Sequence, residues 1–141
     1  MKRLFLLLLV AAVAVSGCNM TTTTVKKRTK IVRIQKVFSN IPLYPNLSYD
    51  ASKSFVYESG NIKAAVIALS GSANFKDVVD FYKTKMVESG WELVSLFIYQ
   101  DKANLFFDSV DSTCNVEVKK TGASSVDVMI RVGSKAVINV K

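Results

Sequence analysis

The 141 residues contain no histidine at all, and their first 36 positions contain no acidic residue. The missing imidazole removes the commonest general base and the commonest metal ligand together. Also missing are a Gly-rich phosphate loop, a Walker pattern, and the CxxC, HExxH and Gly-x-Ser-x-Gly motifs. No catalytic residue, metal ligand or cofactor site is expected, and the reading is of a protein that is not an enzyme. The uneven acids explain the formal net charge of +8. Its whole excess lies in Lys2, Arg3, Lys26, Lys27, Arg28, Lys30, Arg33 and Lys36, whereas 11 basic and 11 acidic side chains cancel from Val37 to Lys141. A body of zero net charge argues against a globular domain with a basic nucleic-acid-binding face. Half the residues are apolar, which excludes disorder throughout, and the length suits one domain.

What is present begins with an address. Lys2 and Arg3 precede an unbroken apolar run from Leu4 to Val15, 12 residues long. A membrane-spanning helix needs about 20, so the run reads as a secretory signal. Val15-Ser16-Gly17-Cys18 follows it and resembles the lipobox of bacterial lipoproteins. The resemblance implies cleavage after residue 17, a diacylglyceryl thioether on Cys18, and acylation of the new N-terminus. It implies a bilayer anchor as partner, two or more chains being stable where one is marginal at about 0.8 kcal/mol per buried methylene. Asn19, in place of the Asp that favours inner-membrane retention in such lipoproteins, points to the outer membrane facing the periplasm if the organism has two membranes. The division is 1–17 signal peptide, 18–37 lipid-anchored tether and 38–141 a single domain.

The tether carries Thr21 to Thr24 and then six cations, Lys26, Lys27, Arg28, Lys30, Arg33 and Lys36, among the eleven residues from Lys26 to Lys36. Two readings stand: the cations contact an anionic lipid or envelope polymer, or they only solubilise a linker. An exported location excludes nucleic acid as their partner. From Ile31 to Phe38 both strand alternation and helical spacing (Ile31, Ile34, Phe38) fit; β-branched residues favour the extended form.

The body opens on Ile41-Pro42-Leu43-Tyr44-Pro45, an extended entry because each Pro biases its predecessor away from helix. Residues 53–58 and 62–69 read as a β-hairpin around Ser59-Gly60-Asn61, the second strand apolar on both faces and therefore central. Phe75, Val78, Val79, Tyr82 and Met86 recur at helical spacing, with Asn74 as N-cap, Gly90 as terminator and an Asp80–Lys83 pair on the surface. Four further strands are expected at 91–99, 103–107, 113–120 and 125–132, with a possible last one at 136–140. Their connections are too short for parallel crossovers. The expected fold is α+β, one long helix packed on an antiparallel sheet of about five to six strands, whose other face is partly polar or covered by the N-terminal segment.

Few residues in the body suggest chemistry. Cys114 shares a strand face with Val116 and Val118 and reads as a core residue. Asp77 with Asp80, and Asp108 with Asp111, have the residue types of a carboxylate pair, but capping and turn formation account for them. Ser70-Gly71-Ser72-Ala73, before the helix, is the other candidate for ligand contact. The entry segment together with Val78-Val79-Asp80-Phe81-Tyr82-Lys83, Met86, Gly90 and Trp91 resembles a group of small uncharacterised bacterial lipoproteins, and that resemblance implies no activity. The expected function is a non-enzymatic binding or structural module for another envelope protein or component. The alternative is a small-ligand-binding or hydrolytic envelope protein that uses the loop before the helix or the Asp residues.

Overall fold

The computed structural model describes residues 34–135. Its frame is one antiparallel sheet of seven strands: β1 (Ser48–Tyr49), β2 (Phe55–Ser59), β3 (Ile62–Ser72), β4 (Glu92–Tyr99), β5 (Lys102–Asp108), β6 (Ser112–Gly122) and β7 (Ser125–Ser134). The spatial order is β1-β3-β7-β6-β5-β4, with β2 also pairing along β3. Seven strands replace the expected five to six. The additional strand is the two-residue β1, too short to leave a periodicity. A single helix within the sheet's sequence, α1 (Phe75–Glu88), has 14 residues, about four turns, and is shorter than a long helix implies.

Local chemistry explains most boundaries. Gly60 sits at φ +56 between β2 and β3, a left-handed geometry that glycine adopts without steric cost. Asn74 caps α1, its side-chain oxygen accepting from the backbone N–H of Lys76 and Asp77, and Gly90 at φ +89 follows its end. The surface ion pairs of the helix are Lys76–Asp80 at 2.6 Å, one turn earlier than the expected Asp80–Lys83, and Lys85–Glu88 near its end. Between β1 and β2 the ladder on β3 is interrupted, and the buried Ser54 hydroxyl fills the gap. It accepts from the Ala68 backbone N–H at 2.9 Å and donates to the Asp50 carbonyl at 2.6 Å.

The core lies between the sheet and α1. Val78, Val79, Tyr82 and Met86 of the helix meet Ile67, Leu105, Val116, Val118 and Ile130 of the sheet, all buried. β3 is flanked by β7 on one side and by β1 and β2 on the other, the central position that its two apolar faces predict.

The N-terminal segment corrects one expectation and decides between two others. Residues 34–37 are helical and not extended, closed by the Phe38 N–H donating to the Ile34 carbonyl at 2.8 Å. Ile34 and Phe38 are 1% and 6% exposed and join the core cluster, so burial at four-residue spacing outweighs the β preference of branched residues. Lys36 projects from this turn and is exposed. The segment packs on the helix side: the Trp91 indole N–H donates to the Asn40 carbonyl at 3.0 Å, and the Tyr44 ring meets Phe81 edge-on at 5.0 Å. Among the described residues, the opposite face of the sheet is left open and partly polar. The expected signal peptide, Cys18, the cations Lys26, Lys27, Arg28, Lys30 and Arg33, and the strand at 136–140 lie outside the described residues.

Candidate functional site: the open face of the sheet

Strand alternation and register place one set of side chains on the face away from α1, and cross-strand rows describe it. One row runs Tyr57, Ala64, Gly133, Thr113, Asp108, Glu92 from β2 to β4. The next runs Phe55, Val66, Arg131, Asn115, Phe106, Ser95. Small residues occupy the centre of the first row, and rings stand near the ends of the second. The consequence is a groove of about 720 Å³, lined by Phe55, Val94 and Phe106 at its sides and by Ala64, Gly133, Thr113 and Asn115 between them.

The rings are not covered. Phe55 is 51% exposed, Tyr57 53% and Phe106 44%. Leaving such apolar area in water forgoes about 25 cal/mol per Å² that burial would return. The cation lining the groove is Arg131, whose guanidinium donates to Asn115 Oδ1 at 3.0 Å, to Glu117 Oε2 at 3.2 Å and to Met129 Sδ at 3.0 Å. These contacts hold the guanidinium in place and balance its charge. The groove therefore has apolar walls, a floor with amide and hydroxyl groups, and a fixed cation. Further along the same face a smaller hollow of about 140 Å³ is lined by charged side chains of both signs, Asp50, Lys53, Glu117, Lys119 and Asp127.

The residues singled out in the sequence are not brought together. Ser70, Gly71 and Ser72 are strand residues of β3 and not a loop, since they pair with Asp127, Val126 and Ser125 of β7. Leu47 and the Asn46 carbonyl lie within 3.3 Å of where a Cβ on Gly71 would stand, so this stretch is a packed crossing. Asp77 is in the first turn of α1, and Asp80 is bound to Lys76, whose hydrogen bond holds the Asp80 carboxyl below the usual range. That is the opposite direction from the raised carboxyl of a general acid. Asp108 pairs with Lys135 at 2.8 Å, and Asp111 Oδ1 accepts from Ser112 Oγ at 3.1 Å. Cys114 is 3% exposed on the inner face, where burial pushes its thiol up to about 12. Burial likewise raises the phenol of Tyr82.

Among the described residues no group of three or more Cys, Asp and Glu is placed to hold a metal ion, and no helix is long and apolar enough to cross a membrane. The groove residues escaped sequence reasoning. The available signal was Phe55 and Tyr57 alternating with Val56, but alternation alone does not say which face α1 covers. In comparisons with known proteins, no family model, no curated protein and no solved structure matches the chain.

Proposed function

We propose that the chain is a lipid-anchored protein of a bacterial cell envelope, acting without catalysis as a binding or structural module for another envelope component. Cys18 would carry the lipid, and Lys26, Lys27, Arg28, Lys30, Arg33 and Lys36 would lie close to an anionic lipid or polymer surface. One pairing of features supports the reading: a lipobox-like sequence precedes a body whose open sheet face leaves three rings, Phe55, Tyr57 and Phe106, about half exposed. Exposed rings lining a shared groove mark an interaction site more often than they serve stability. In an envelope with two membranes, Asn19 favours the outer one, with the body on the periplasmic side. The groove also supports a second reading, a small apolar ligand held between Phe55 and Phe106. This moves the small-ligand alternative from the segment before α1 to the open face.

Metabolic labelling with palmitate tests the anchor in wild type and Cys18→Ala. The expected outcome is label in the wild type alone, with the variant released from membranes; equal labelling of both overturns it. A photo-crosslinking residue at position 55, compared with one at position 83 on the solvent side of α1, tests the face. Adducts are expected from position 55 only.

A further inference from the structure

We infer that the free edge of β4 pairs with β4 of a second copy, giving a two-fold dimer with a continuous sheet. This inference goes beyond the proposed function and is independent of the anchor. The two ends of the sheet differ. At one end β3 is shielded by β1 and β2; at the other, β4 has eight residues and pairs, among the described residues, only with β5. From Leu93 to Tyr99 this edge has no charge and no proline. Val94 is 64% exposed, Phe97 62%, Ile98 53% and Tyr99 61%. Edge strands are ordinarily blunted by Lys, Pro or a cover, and an apolar edge lacking them is a template for another strand.

The register accommodates a second copy as the occupant. Antiparallel partners must set residues of the same face opposite one another. A bulge adds one residue between Leu93 and Ser95, which places Glu92, Ser95, Phe97 and Tyr99 on the open face and Leu93, Leu96 and Ile98 on the core face. A two-fold axis through Leu96 then sets Ser95 opposite Phe97, Leu93 opposite Ile98 and Glu92 opposite Tyr99 of the other copy. These pairs match in face, with the bulge residue Val94 of each copy left without a partner.

Charge agrees with that register. Lys102 is the cross-strand neighbour of Tyr99, so Lys102 of one copy lies on the same face as Glu92 of the other, two strands and about 10 Å away, within the combined reach of two long side chains. Neither takes part in an ion pair among the described residues. On the inner face, Leu93 and Leu96 already pack against the core and Ile98 stands exposed at its margin, so pairing extends the core across the axis. The four exposed side chains offer on the order of 400 Å² per copy. With the paired backbone this approaches the roughly 600 Å² per partner of the smallest stable interfaces, which makes the dimer a reversible one.

The test uses the full-length chain in detergent, with its mass followed by sedimentation against concentration. A dimer fraction that rises with concentration is expected. Phe97→Lys, at an exposed position, should weaken it by about tenfold or more while circular dichroism stays unchanged. The register is read in a Cys18→Ala background: an equal mixture of Ser95→Cys and Phe97→Cys should form intermolecular disulfides faster than either variant alone. A chain that stays monomeric overturns the proposal, including one whose own residues 136–141 occupy the edge. So does a dimer indifferent to Phe97→Lys, or cross-linking no faster in the mixture.

Discussion

On the inner face of the sheet, Leu105, Val116, Val118 and Ile130 have no exposed surface, and on the outer face of the same strands Phe106 is 44% exposed and Arg131 lies open. Leu105 and Phe106 are consecutive residues of one strand. They differ because the pleat alternates direction and α1 covers only one side. The inner face carries the stability of the fold, through dense packing of branched side chains. The outer face keeps rings that folding does not require, held apart by a floor of Ala64, Gly133 and Thr113. The same alternation therefore supplies a core and an open groove with exposed rings, and substitutions should separate the two.

The largest effect is expected inside. Ile130→Ala, at a position with no exposed surface, should cost about 2–5 kcal/mol in urea unfolding, since the neighbouring strands cannot collapse onto the vacated volume. A loss below about 1 kcal/mol would mean that this face is looser than its burial indicates.

Cys114, opposite Val132 on the inner face, probes the same contrast chemically. With Cys18 replaced by Ala, its thiol should react with an aromatic disulfide reagent about a hundredfold or more slowly in the native chain than in urea. The folded thiol holds its proton more tightly than a free one. Its contribution to stability is thus complete below about pH 9 and is lost as pH rises from 9.0 towards about 12. Equal native and unfolded reactivity would place Cys114 at the surface.

The smallest effect on stability is expected outside. Phe55→Ser and Phe106→Ser should each lower the unfolding free energy by only about 1 kcal/mol, because both rings are about half in water already. Crosslinking from the open face should nevertheless fall. Stability losses as large as that of Ile130→Ala would merge the two faces into one structural role.

How far these faces were legible depends on the range of the interactions. The helix could be read because Phe75, Val78, Val79, Tyr82 and Met86 repeat within a few residues, and Asn74 caps through atoms two and three positions away. The turn at Gly60 is equally local. The stretch Ser70-Gly71-Ser72 looked like a loop because Ser and Gly are turn formers, yet its strand state comes from β7, more than fifty residues later. Residues 34–37 went the other way: Ile34 and Phe38 are drawn into a core assembled from later elements, and that burial outweighs local preference. The β1 strand exists only because β3 offers it a partner at Leu69 and Ser70.

The sequence by itself determined the elements whose causes are near neighbours: the helix with its cap, the β2–β3 hairpin, the strand character of β4 to β7, the inward direction of Cys114, and the charge imbalance confined to the first 36 residues. Only the tertiary structure decided that β7 lies between β3 and β6, which side of the sheet α1 covers, that a bulge shifts the faces of β4, and that a groove opens between Phe55 and Phe106. The reason is physical. Periodicity records how a segment turns along its own axis, whereas neighbours in a sheet are chosen by hydrogen bonding and packing between segments far apart in the chain.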